Sequence, residues 1–306
     1  MIATLPPWLL PHYRRLESVH ATGHLPHALL IHGPGGWGEV MLANALALRL
    51  IGRHGDDGKM AAEVAHPDLR WLVPEGAGEQ IRIEAIRGLV DFVLQTPQIA
   101  DCKVAVVCAA DAMNAYAASA LLKTLEEPPP GSHIVLVSES LSTLLPTIRS
   151  RCQLLAVRPG DATAALDWVR QQAAPVEPAR FDALTFEFGG APLRLLDALG
   201  RDERPLTEEL RAVARRTADP VALAEAWAKR DVTELVERWM RYVPAALQPG
   251  DAHVPPLRLP AGAGPVWDFW QRLQQARGLL RGTTNPNQRL LLESLLLQWR
   301  DIATAV

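Results

Sequence analysis

The sequence predicts a parallel α/β domain followed by all-helical domains. Two observations carry that prediction. Short apolar runs alternate with helix-forming segments through the first half, and strand signals stop after Arg158-Pro159-Gly160. Strands separated by helices require crossover connections, which implies a parallel sheet with helices on both faces. A chain of 306 residues accommodates about two or three domains. With 48% hydrophobic and 21% charged residues, the composition excludes disordered and fibrous classes. A formal net charge of -3 excludes a strongly basic wrapper of nucleic acid, while leaving room for a local basic patch.

Taken in order, His27 to His32 is a buried strand ended by Gly33-Pro34-Gly35-Gly36, and Gly38 to Leu50 is rich in strong helix formers. Asp68 to Val73 reads as the second strand. Ile83, Ile86, Val90, Val93 and Leu94 recur at helical spacing up to a stop at Pro97. Lys103 to Cys108 is the third strand, followed by a helix over Asn114 to Glu127 that Pro128-Pro129-Pro130 terminates. His133 to Ser138 and Gln153 to Val157 complete the strands. Beyond them, 161–199 reads as short helices, then 206–217, 220–229, 231–242, 265–281 and 288–300 as longer ones, with a Pro/Gly/Ala-rich loop over 244–265. The expected division is an α/β domain over 1–159, a small helical domain over 160–202 and a C-terminal helical domain over 203–306.

The strand–turn–helix at 28–50 places Gly33, Gly35, Gly36 and Gly38 where a phosphate-binding loop would sit. In that motif glycine amides cradle phosphate, a Lys neutralises it and a hydroxyl holds Mg²⁺. Here the next two residues are Glu39 and Val40. Exchanging a cation for an anion about 4 Å from phosphate introduces a repulsion of roughly 4 kcal/mol at an effective dielectric of 20, and removes a similar attraction. A tight βα turn would use the same glycines, but the position after the first strand of a βα series favours a relict phosphate loop. Trp37, inside it, is a candidate plug for the vacant site. The acidic pair that would hold Mg²⁺ and activate water at the end of the third strand falls at Ala109 and Ala110. Asp111 comes too late and is read as the cap of the next helix. Losing both features argues against ATP hydrolysis.

Ala118 to Pro129 (ASALLKTLEEPP) and Leu145 to Cys152 (LPTIRSRC) closely resemble signatures of bacterial clamp-loader subunits of the AAA+ class. With the degenerate loop, the nearest resemblance is to the delta-prime family of the DNA polymerase III clamp loader. It runs from His27 to about Leu199, and more weakly through Ala276 to Leu280 and Asn287 to Leu290. The resemblance implies an AAA+ sheet domain, a small lid and a helical collar that binds partner subunits. It also implies an arginine finger at Arg151, flanked by Ser150 and Cys152, offered in trans to ATP on a neighbouring subunit. On spacing alone, Arg151 would be a surface residue in a turn. Gly189 to Arg194 resembles a second sensor motif, in which Arg194 would contact phosphate or, here, Glu39 or the loop carbonyls; a solvated Arg at a helix start would look the same. Glu126 and Glu127 point about 100° apart and make a poor acid–base pair.

The implied partners are the gamma/tau motor subunits, the clamp-opening delta subunit, the sliding clamp and primed DNA. The chain would then be a non-hydrolysing part of a nucleotidyltransferase holoenzyme. Relatives often carry a four-cysteine zinc module between the loop helix and the second strand. Residues 51–66 contain no cysteine, and His54 and His66 alone do not make a structural site, so no zinc and no other cofactor are expected. Cys102, Cys108 and Cys152 are too scattered for a disulfide framework. With no signal pattern at the start and no apolar run of about 18 residues, a cytoplasmic location is expected. Two rivals remain: an ATPase with a deviant site, and a standalone DNA-binding protein reusing the fold.

Overall fold

The five apolar runs of the first half form one parallel sheet in the computed structural model, which describes residues 5–53, 59–76, 79–246, 257–258, 263–282 and 286–305. The strands are β1 (Ala28–His32), β2 (Leu69–Leu72), β3 (Lys103–Val107), β4 (Ser132–Ser138) and β5 (Gln153–Ala156). Their order is β2-β3-β4-β1-β5. Leu30 stands opposite Leu136 on one side and Leu154 on the other, so β1 is central. Alternate side chains leave opposite faces of a strand, and the core follows that rule. Leu29, Ile31, Val104, Val106, Val135 and Val137 pack with Leu42 and Leu46 of α2 (Glu39–Leu50). Leu30, Ala105, Val107, Ile134 and Leu136 face the other way, onto α3 (Ile83–Val93) and α4 (Ala115–Glu126). The helix α1 (Leu10–Ala21) adds Leu16 to the first face, and α5 (Pro146–Arg149) adds Ile148 to the second.

In the first half, predicted strand and helix ends move by about one residue; in the second, α-helical ends move by up to four, at Ala214 against 217 and at Ala246 against 242. Asn114 is the cap of α4 rather than its first turn: its side chain accepts a hydrogen bond from the Ala117 amide at 2.8 Å. Asp68 precedes β2 and has a different task. Its buried carboxylate accepts from the amides of Gln98, Ile99 and Ala100 at 2.7–2.8 Å and lies 3.1 Å from Lys103 Nζ. Burial alone would push this carboxyl up, but the three amides and the ammonium hold it far below the usual carboxylate range.

The chain divides into two compact units, Met1–Ala165 and Leu166–Val306, with the boundary inside α6 (Ala162–Gln172). The second unit is helical, as predicted: α7 (Pro178–Glu187), α8 (Pro192–Gly200), α9 (Leu206–Ala214), α10 (Pro220–Trp227), α11 (Val232–Ala246), α12 (Ala263–Arg281) and α13 (Gln288–Ile302). Within the stretch read as a loop, α11 continues through Pro244, and β6 (Leu257–Arg258) pairs antiparallel with β7 (Thr304–Ala305). Two apolar clusters occupy this unit. One joins Val169, Phe181, Leu184, Phe188, Leu195 and Ala198. The other centres on Trp239, whose ring meets Trp227, Phe269 and Trp299 at 5.2–5.8 Å.

A buried ionic cluster links segments of both. Arg238 and Glu187 are each fully buried and paired, and Arg238 also pairs with Glu203. Glu187 accepts from the amides of Leu206 and Thr207 at 3.0 and 2.8 Å, and so caps α9 from a distance in sequence. Arg230 pairs with Glu203 and Glu209. Among the described residues no helix is long and apolar enough to cross a membrane.

Candidate functional site: a phosphate loop with its own carboxylate

The carboxyl ends of parallel strands, where the order reverses, are the usual place for a ligand crevice. Here that edge is built by residues 33–38 after β1, 108–114 after β3 and 139–145 after β4. Gly35, Gly36 and Gly38 have φ of 82°, 73° and 105°, values that glycine adopts without steric penalty. They turn successive amides inward, as in a phosphate loop.

Glu39 lies where those amides point. As the first residue of α2 it folds back, and its carboxylate accepts from Gly35 N–H at 3.2 Å, Trp37 N–H at 3.2 Å and Gly38 N–H at 3.1 Å. The residue is only 3% exposed. Burial raises its pKa above the usual value; Glu139 pushes the same way, while the loop amides oppose both. Gly33 is required by this arrangement, because a Cβ there would lie 2.1 Å from Glu39 Oε1 and 2.6 Å from the Val157 carbonyl oxygen. Val40 contributes no oxygen and is 40% exposed.

Trp37 does not fill the cradle. Its ring packs edge-on against Trp8 at 6.0 Å, and its carbonyl accepts from Trp8 Nε1 at 2.7 Å. The candidate plug in the sequence was therefore the wrong residue, because an indole beside an apolar helix gains more from the core than from an amide nest. Glu139, just past β4, carried no motif. Its carboxyl lies over Gly35, where a Cβ would approach it to 2.4 Å. A second carboxylate thus borders the loop.

At the end of β3, Ala110 is buried, and Ala109 takes a left-handed φ of 54° that is uncommon outside glycine, asparagine and aspartate. Asp111 does not cap α4. It accepts from the Glu139 amide at 3.3 Å and ties the two loops together.

Arg151 follows α5, whose first residue is Pro146. Its Nε donates to Glu126 Oε1 at 2.6 Å, Nη2 donates to the same oxygen, and Nη1 donates to the Thr147 carbonyl at 3.0 Å. The segments at the end of α4 and after α5 thus meet in one ion pair, with the Arg side chain 30% and the Glu side chain 49% exposed. Ser150 Oγ donates to Thr147 O at 3.1 Å. Cys152 is buried, and burial pushes its thiol up to about 11, which makes it a packing residue rather than a nucleophile. Arg194, in the first turn of α8, has Glu234 and Arg241 as electrostatic neighbours within its own unit.

His54 lies outside the described residues, and among the described residues no group of three or more His, Cys, Asp or Glu is placed to hold a metal. Cys102, Cys108 and Cys152 are buried free thiols.

The strand order and the glycine loop between β1 and α2 define an AAA+ module. The fold is that of a DNA polymerase III gamma subunit-related protein of Thermotoga maritima, with a TM-score of 0.55 at 21% identity over 94% of this chain and 99% of that one. A family profile described as "DNA polymerase III, delta subunit" matches residues 11–161. The DNA polymerase III subunit delta′ of Pseudomonas aeruginosa is 33% identical over 90% of this chain and 92% of its own length. That of Escherichia coli is 27% identical over 95% and 94%. The chain belongs to the DNA polymerase III subunit delta′ family.

Proposed function

We propose that the chain is the fixed, non-hydrolysing member of a hetero-oligomeric clamp loader, acting in DNA replication. In this reading residues 1–159 form the AAA+ sheet domain, 160–202 a lid and 203–306 a collar that binds partner subunits. Motor subunits of the gamma/tau type and a clamp-opening delta subunit are the neighbours, and the assembly loads a sliding clamp onto primed DNA. The chain needs no nucleotide or metal of its own. Arg151 is offered to ATP held by an adjacent motor subunit, where a guanidinium stabilises charge that develops on the transferring phosphoryl group.

The observation that carries the non-hydrolysing part is the buried Glu39 carboxylate, bonded to three amides of the loop that would otherwise take phosphate. The replacement of the acidic pair by Ala109 and Ala110 agrees with it. The finger rests on the family membership and on the partly exposed position of Arg151 beside α5.

The test uses the reconstituted complex. Arg151→Ala should leave assembly intact and lower DNA-stimulated ATP hydrolysis, with a loss at the served site of about 10³-fold or more. Unchanged hydrolysis and clamp loading would remove the finger from this residue. Micromolar ATP binding by the isolated chain would instead favour an ATPase with a deviant site. Salt-sensitive DNA binding without partners would favour a standalone DNA-binding protein.

A further inference from the structure

We propose that Glu39 is a built-in anion for the phosphate loop: its carboxylate holds the place of a bound phosphate, and removing it opens a site for inorganic phosphate or pyrophosphate. The inference rests on the reading of the loop as non-hydrolysing, and adds what occupies it.

Three amides of a glycine-rich turn converge on one carboxylate at 3.1–3.2 Å. Convergent amides at a helix start stabilise an anion wherever it comes from. In most phosphate loops the anion arrives with a nucleotide and leaves with its products, so the amides alternate between bound and hydrated states. Here the anion is covalently part of α2 and is almost completely buried. The loop therefore holds its filled shape with no nucleotide present.

The fit is specific to this residue. Glu has the reach to fold back from the first position of α2 onto amides one, two and four residues before it. Gln at 39 would direct one amide group of donors at backbone donors, and Ala would leave all three amides without this acceptor. Gly33 leaves the space for Oε1 that any larger residue would take. Glu139, over Gly35, adds a second negative charge at the mouth and opposes entry of a free anion.

The experiment compares the full wild-type chain with Glu39→Ala and with Glu39→Ala/Glu139→Gln. Far-ultraviolet circular dichroism checks that each is folded, and calorimetric titration with pyrophosphate reads binding. Wild type should show no binding at millimolar pyrophosphate. Glu39→Ala should bind it, with a melting temperature raised by about 3 °C at tenfold excess over Kd, and the double variant should bind more tightly still. A folded Glu39→Ala chain as silent as wild type would overturn the proposal. So would wild-type binding equal to that of Glu39→Ala. If the single variant does not fold, Glu39→Ser, which also removes the carboxylate from the cradle but can hydrogen-bond at a helix start, takes its place in the same comparison, with the same outcomes. The non-hydrolysing reading fails by a different result, ATP binding by the wild-type chain, so the two can be told apart.

Discussion

Arg151 and Glu126 stand 25 residues apart in sequence and share a carboxylate oxygen through two guanidinium donors. The sequence exposed both residues as parts of motifs but not their pairing, because a helix end and a turn after the next helix meet only through tertiary packing. Glu126 was weighed as an acid–base partner of Glu127, and the structure pairs it with Arg151 instead. Partly exposed ion pairs are screened and contribute about 0–1 kcal/mol. Glu126→Gln should therefore change the stability of the isolated chain by less than about 1 kcal/mol in urea denaturation. A larger loss would mean that the pair supports the fold rather than only orienting the guanidinium. Glu39 shows the reverse case. Its identity was legible as a charge of the wrong sign, and the direct contact was not, because folding back onto the loop depends on three positive-φ glycines acting together.

At the scale of elements, the strands were legible because parallel strands buried on both faces read as unbroken apolar runs. Lys103–Val107 is buried at all five positions, including a lysine whose burial an apolar pattern does not suggest. That lysine is tolerated because its ammonium reaches Asp68 at 3.1 Å, the Pro67 carbonyl at 2.9 Å and the face of Phe92 at 4.6 Å. Asp68 in turn fixes the turn before β3 by three amide bonds. Asp68→Ala leaves a buried ammonium without its counter-ion and should lower stability by about 3–5 kcal/mol. The carboxyl is held below its ordinary value of 3.8, so its contribution is fully present above that pH and is lost as the pH falls towards the depressed folded value. Acid titration of stability should thus show a slope below about pH 4 in wild type that Asp68→Ala has lost.

The molecule as a whole carries its apolar residues in two compact units, each with its own core. Scanning calorimetry of the full chain should resolve two transitions. Asp68→Ala should lower only that of the sheet unit. Arg238→Ala should lower only that of the helical unit, by about 3–5 kcal/mol, since it strands Glu187 in the interior. A single transition shifted equally by both variants would contradict this. The helical unit was legible as a series of helices from their caps and breaks. Its ionic interior was not, because Glu187, Glu203, Arg230 and Arg238 lie on separate segments that look solvated when read singly.

On the proposed non-hydrolysing reading, the carboxylate in the loop also bears on whether hydrolysis could arise there. Lysine at 39 alone would restore a cation but leave Val40 without a hydroxyl, Ala109 and Ala110 without carboxylates and Glu139 against Gly35. No one of these exchanges yields hydrolysis by itself, and the first would empty a nest that is now satisfied. Selection would meet a step down before any step up. While the loop holds an anion of its own, no single one of these exchanges turns it into a nucleotide site.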